Sequence, residues 1–283
     1  MSRGDGSAAV GRAELQGAWE ELDLGLGGGI DRGPGACRRF EHLAERLRTP
    51  EAAFLLPELE RRLADCVEAN DSFARDLVAH VLAGACGEAA LPALLRASVG
   101  ARNDDGGTLQ LDLLALFTAW PETAHRLLLG CIASHDPATR QVGIWGLSVT
   151  DFGGAKYFAL VADAASDPDP GVRAHVMGTL GSIFGVGDPS RARALLIAGA
   201  GDPAPEVRQA AVHALGSAHD PAVTDLLTAR TEDTDPVVRF QAAWSLAGRP
   251  GPAVRTALER LAADKDTDVR EAARTALDFP TVR

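Results

Sequence analysis

The chain has 283 residues, of which 46% are apolar, enough for a sizeable core and too many for wholesale disorder. Lys plus Arg total 28 against 39 Asp plus Glu, and the formal charge of −11 argues against a general binder of nucleic-acid phosphates or anionic membrane surfaces. No apolar run of bilayer-spanning length stands out, and MSRGDGSAAVGRAEL lacks the apolar stretch of a secretory signal, so a cytoplasmic protein is expected.

Residues 1–35 contain ten Gly and are expected to form a mobile arm, with ELQGAWEELDLGL as a short capping helix that docks Trp19 and Leu22. Residues 36–283 read as one repeat array. Its anchor is an Arg followed seven residues later by Leu, in Arg75/Leu82, Arg140/Leu147, Arg173/Leu180, Arg208/Leu215, Arg239/Leu246 and Arg270/Leu277. Gln110 and Phe117 hold the same slots in a degraded copy, and a weaker eighth unit starts near Arg39. Successive anchors from position 75 are 35, 30, 33, 35, 31 and 31 residues apart, the length of a two-helix repeat.

Each unit has the same local grammar. Asp stands four residues before the anchor at Asp71, Asp136, Asp169, Asp235 and Asp266, and Pro follows at Pro137, Pro170 and Pro236, with Pro205 in the unit lacking that Asp. Asp then Pro is an N-cap followed by the first helical position, where a missing N–H costs nothing. A helix therefore starts there and runs to the Leu, with Gly181, Gly216 and Gly248 as natural stops. The preceding helix of each pair is an apolar run at helical spacing, as in TAHRLLLGCIA, ARALLIAGA and VRTALERLA. The last unit is more polar, with Arg270, Glu271, Arg274 and Thr275, as a terminal cap must be.

The D-P-x-V-R-x-x-A-x-x-A-L-G pattern of these copies resembles the HEAT-repeat family, in particular the short bacterial type named after phycobilisome lyases, over roughly residues 36–280. The resemblance implies an all-α solenoid of about seven to eight two-helix repeats. It also implies a structural ladder in which Arg140, Arg173, Arg208, Arg239 and Arg270 contact acidic caps of neighbouring repeats.

In such a stack the second helices line a concave face. With the anchor Arg as zero and about 100° per residue, slots −1, +3, +6 and +7 form the core side, and +1, +5 and +8 face outward. Slot +5 reads His80, Ala115, Trp145, Gly178, His213, Trp244 and Thr275; slot +1 reads Asp76, Leu111, Gln141, Ala174, Gln209, Phe240 and Glu271. None of these is Lys or Arg, so the face is not a phosphate-tracking channel. Trp145, His213, Phe240 and Trp244 form an aromatic stripe, and Ala174, Gly178 and Gly181 leave a notch between Trp145 and His213. His80 and His213 each stand alone in their helices.

Other chemistry has little support. The resemblance brings in di-iron hydroxylases that use His-Glu dipeptides, but the chain has only the reverse pair Glu41-His42, so no metal or other cofactor is expected. Cys37, Cys66, Cys86 and Cys131 form no CxxC pair and read as reduced, buried thiols. There is no GxSxG elbow or phosphate loop. The favoured reading is a non-catalytic scaffold, adaptor or inhibitor that binds a protein or peptide in its groove. Its contact residues are Trp145, His213, Trp244, Phe240, Gln209, Gln141, His80, Asp76 and Gly178. The alternative is an enzyme or enzyme accessory acting on a peptide or small molecule near Gly178 with His213 as acid–base, and the third reading is a DNA-binding HEAT-like protein.

Overall fold

The computed structural model describes residues 11–27, 34–100, 108–150, 155–182 and 188–280. The chain divides into two compact units, Met1–Gly130 and Cys131–Arg283. All regular structure among the described residues is helical.

The first unit holds α1 (Arg12–Gly27), α2 (Pro34–Leu47), α3 (Leu56–Glu68), α4 (Ser72–Cys86), α5 (Leu91–Gly100), α6 (Thr108–Ala119) and most of α7 (Pro121–Ile132). Residues 1–10 and 28–33 of the expected arm lie outside the described residues. Helix α1 extends beyond the short cap foreseen and buries Leu15, Trp19, Leu22 and Leu26. One helical stretch, Ser72–Val99, is after all long and apolar enough by composition to cross a membrane, with a mean hydropathy of 1.5 over an 18-residue window. It was missed because its apolar residues are interrupted by Arg75, Asp76, Glu88 and Arg96. More than half of it is buried within the protein, and a 3₁₀ turn at Gly87–Ala90 breaks it into α4 and α5.

The second unit holds α8 (Pro137–Thr150), α9 (Ala155–Asp163), α10 (Pro170–Ser182), α11 (Pro189–Gly199), α12 (Pro205–Leu215), α13 (Pro221–Arg230), α14 (Pro236–Leu246), α15 (Pro252–Leu261) and α16 (Thr267–Asp278). The fold is an all-α solenoid of two-helix repeats. Within this unit the second helices α8, α10, α12, α14 and α16 pack side by side more closely than the first helices α13 and α15 do, as an inner row must. One continuous core runs through it, with Val172, Val207, Val238 and Val269 at slot −1 and Leu180, Leu215 and Leu246 at slot +7 fully buried.

The caps form as the sequence dictates: Asp71, Asp136, Asp169, Asp235 and Asp266 each accept a hydrogen bond from a backbone N–H two or three residues on. The arginine ladder differs from the one implied by family resemblance. Arg140, Arg208 and Arg239 do not reach the capping Asp of the next repeat, and in the repeat after Arg173 the capping slot holds Ala204. All four grip an Asp two residues before that slot, Asp167, Asp202, Asp233 and Asp264, through Nε and Nη2 at 2.7–2.9 Å. The capping carboxylates are already engaged by their own helices, whereas the earlier Asp lies in the loop. Each of these loop Asp residues also accepts the backbone N–H two residues on, which braces the following helix start. Nη1 of each arginine donates to two carbonyls of its own loop, as at Asp202 and Pro203 for Arg208. Arg270 keeps those carbonyl bonds but turns Nη2 to Thr267. In the first unit the buried Arg75 pairs with its own neighbour Asp76.

One of the three glycine stops needs correction. Gly216 caps α12, in a right-handed conformation, and Gly248 follows the end of α14 with φ +71°, but Gly181 lies inside α10. Gly181 is needed for packing instead. A Cβ there would meet the Ala214 Cβ at 2.6 Å, so its absence lets α10 and α12 approach closely.

Candidate functional site

Slot +5 recurs once per repeat on the inner row, and three consecutive copies converge. Gly178 on α10, His213 on α12 and Trp244 on α14 line one open cleft of about 450 Å³, a size that takes a side chain or small ligand. Its space comes from the glycines. No described residue lies within 4 Å of an ideal Cβ on Gly178, so that position opens onto free volume rather than onto a packed neighbour. Gly181 and Gly216 complete the floor.

Ser182, Ser217, Gln241 and Ser245 contribute polar groups, and no carboxylate, Lys or Arg lines the cleft among the described residues. The Ser182, Ser217 and Ser245 hydroxyls donate to the carbonyls of Gly178, Ala214 and Val212, which leaves their lone pairs as acceptors. Gln241 leans on Ser245 at 3.4 Å. The indole of Trp244 is 38% exposed, and Phe240 and Phe279 meet it edge-on, with ring centroids 6.3 and 6.4 Å away. The aromatic neighbours hold the ring while leaving part of it open to a guest.

The other sequence-selected residues lie elsewhere. Phe240 is half-buried and backs Trp244 without lining the cleft. Gln209 sits one turn before His213 and is half-buried. Gln141 and Trp145 on α8 are half-buried and outside the lining; the Gln141 amide lies close to Gly171 at the start of α10. The notch is therefore walled by His213 and Trp244 rather than by Trp145 and His213. Ser182, Ser217, Gln241 and Ser245 were missed. Ser182 and Ser217 lie beyond the helix stops expected at Gly181 and Gly216, and Ser245 occupies a slot assigned to the core.

His80 and Asp76 belong to the first unit. His80 has partners on two other helices: Nδ1 lies 3.0 Å from both carboxylate oxygens of Asp112 on α6, and Nε2 lies 3.3 Å from Glu45 on α2. The hydrogen bond to Asp112 raises the His80 pKa above the ordinary histidine value, against the opposing effect of burial. The two carboxylates flank opposite ring nitrogens and do not converge on one point. No group of three or more His, Cys, Asp or Glu suited to a metal ion occurs among the described residues. Of the cysteines, Cys66 is fully buried and the other three are half-buried. Burial pushes the Cys66 and Cys86 thiols up to about 11, so neither is a ready nucleophile.

Residues 193–278 match the family model for HEAT repeats. No curated protein matches the chain. Among solved structures it is similar to YibA of E. coli, at 16% identity over 97% of this chain and 99% of that one, with a TM-score of 0.49. It is also similar to an engineered protein (16% identity, 94% and 79% covered, TM-score 0.41) and to human deoxyhypusine hydroxylase solved with glycerol (18% identity, 80% and 96% covered, TM-score 0.32). At these identities the likeness is one of fold.

Proposed function

We propose that this array of HEAT-like repeats is a non-catalytic cytoplasmic binding module that holds a protein segment in the cleft between α10 and α14. The observation that carries the reading is the pairing of unfilled space at Gly178 with a supported, partly exposed indole at Trp244. A side chain of the partner enters the notch and packs on the indole, where a cation adds about 0.5–2 kcal/mol. Ser182, Ser217 and Gln241 serve the partner's backbone amides. His213 has no carboxylate among the lining residues to orient it, which disfavours the acid–base reading.

The test is a selection of displayed peptides on the full chain, followed by Trp244→Ala and Gly178→Leu. Both variants are expected to weaken a selected peptide at least about tenfold, about 1.4 kcal/mol. Neither should lower stability by more than about 1–1.5 kcal/mol, because one side chain is exposed and the other enters open space. Peptides that bind both variants as tightly as the parent place the binding face elsewhere.

A further inference from the structure

We propose that a second cleft in the same unit, between α13 and α15, is a binding site for a single carboxylate group. This cleft encloses about 300 Å³, and Thr224, Thr228, Arg249, Ala253 and Val254 are among the residues that line it. None of these residues lines the cleft at Trp244, so the two assignments stand or fall separately.

The first observation is a substitution in the repeat grammar. Helices α11 and α13 begin with Asp188-Pro189 and Asp220-Pro221, and each Asp carboxylate accepts a backbone N–H of its own first turn, from Arg191 at 2.9 Å and Val223 at 3.0 Å. Helix α15 begins with Gly251-Pro252. Its N-cap has no side chain to offer and φ is +126°. The N–H groups of Ala253 and Val254 therefore have neither an intrahelical acceptor nor a capping carboxylate, and both residues line the cleft.

The second observation is the charge on the cleft floor. Arg249 is only 7% exposed and has no ion pair among the described residues, whereas each inter-repeat ladder arginine holds a carboxylate. Its Nε donates to Ser245 O at 2.7 Å, Nη1 to Thr224 Oγ1 at 3.0 Å, and Nη2 to Gly216 O at 2.8 Å and Leu215 O at 3.4 Å. A guanidinium has five N–H groups, so one on Nη1 remains without an acceptor among these contacts. The carbonyls at the ends of α12 and α14 offset part of the charge, and burial still pulls the Arg249 pKa below the usual arginine value. A buried cation and an uncapped helix start thus share one opening, and the group missing from both is the carboxylate that Asp188 and Asp220 supply elsewhere.

Asp225 lines the same cleft and is exposed, and Asp220 lies close enough to act on Arg249. Both repel a dianion more than a monoanion, which selects a carboxylate over a phosphate. The carboxylate could belong to a free small acid or to an acidic side chain of a bound protein.

The experiment is a titration of the ¹⁵N-labelled full chain, at fixed ionic strength, with sodium acetate, blocked acetyl-Ala-Glu-Ala-amide, sodium phosphate or sodium chloride. Saturable shifts of the Ala253 and Val254 amides and of Arg249 Nε are expected with acetate and the peptide, and not with chloride. A peptide at least about tenfold tighter than acetate assigns a protein source, and equal affinities assign a small acid. Arg249→Gln should abolish the response. Ala253→Asp, at an exposed position in the first turn, supplies a carboxylate within the chain and should weaken acetate at least about tenfold even if Arg249→Gln fails to fold. Non-saturable shifts, tighter binding of phosphate than of acetate, or an unchanged acetate response in Ala253→Asp would overturn the proposal.

Discussion

Two glycines three residues apart on one helix have opposite roles. A Cβ on Gly178 enters open space, so Gly178→Ala gains helix propensity and is expected to raise unfolding free energy by about 0.5–1 kcal/mol. A Cβ on Gly181 would stand 2.6 Å from the Ala214 Cβ and 3.1 Å from its Cα, and backbone cannot yield as a flexible side chain does. Gly181→Ala is therefore expected to cost about 1–3 kcal/mol, and urea unfolding of both variants checks the pair. A single residue also sets a pH response. Protonated His80 donates to Asp112 and Glu45 at once; neutral His80 keeps one N–H and turns a lone pair toward a carboxylate. Its folded pKa is raised, so its contribution is full below the unfolded value of about 6.5 and is lost as pH rises through the folded value. The groups acting on the ring are Asp112, Arg48 and Glu45. Denaturation midpoints should fall from pH 5 to pH 8, and His80→Ala should flatten that slope; an unchanged slope would assign the response to other groups.

At the level of elements, the second helix of each repeat carries two signals, and they were unequally legible. The core slots repeat with the anchor, so the buried faces of α10, α12, α14 and α16 could be read from Val172, Val207, Val238 and Val269 and their partners. The ladder could not, because the loops before α10, α14 and α16 hold pairs of Asp two residues apart: Asp167 and Asp169, Asp233 and Asp235, Asp264 and Asp266. Both members suit a cap, and only three-dimensional packing decides which one turns back to the preceding repeat. The same holds at the cleft: Gly178, His213 and Trp244 share one slot and were visible, while Gln241 and Ser245 line it from slots that periodicity sends to the flank and the core. The ladder carries its own prediction. Arg208 and Asp233 are largely buried, and Asp233→Asn should destabilise by about 2–4 kcal/mol by leaving the guanidinium without its counter-charge. Although burial opposes it, the Arg208 hydrogen bond holds the Asp233 carboxyl below its usual range, and Arg173 and Arg239 do the same for Asp202 and Asp264. These contributions are present above the unfolded aspartate value of about 4 and are lost as pH falls through the lower folded values. Urea midpoints should therefore drop steeply below about pH 4, and less steeply in Asp233→Asn.

For the whole molecule, the division at Gly130 and Cys131 raises the question of what each unit needs from the other to fold. The second unit is expected to fold alone. Its core cluster runs without interruption from Ile144 on α8 to Ala276 on α16 and draws its members from residues 144–276. Its four arginine rungs also begin and end inside it, from Arg140 with Asp167 to Arg239 with Asp264. Helix α16 carries exposed Glu271, Arg274 and Thr275, a more polar outer side than the helices before it. In a repeat array, stability is the sum of unit terms and nearest-neighbour interfaces, and the core cluster and the four rungs are interfaces within the second unit. A fragment of residues 131–283 is therefore expected to unfold in one cooperative urea transition, with a slope of about 1–3 kcal/mol/M, and to bind any peptide selected on the full chain within about threefold of the parent affinity. A broad, non-cooperative transition would show that the core cluster is not sufficient. Cooperative unfolding with lost peptide binding would instead move the recognition surface away from the cleft at Trp244.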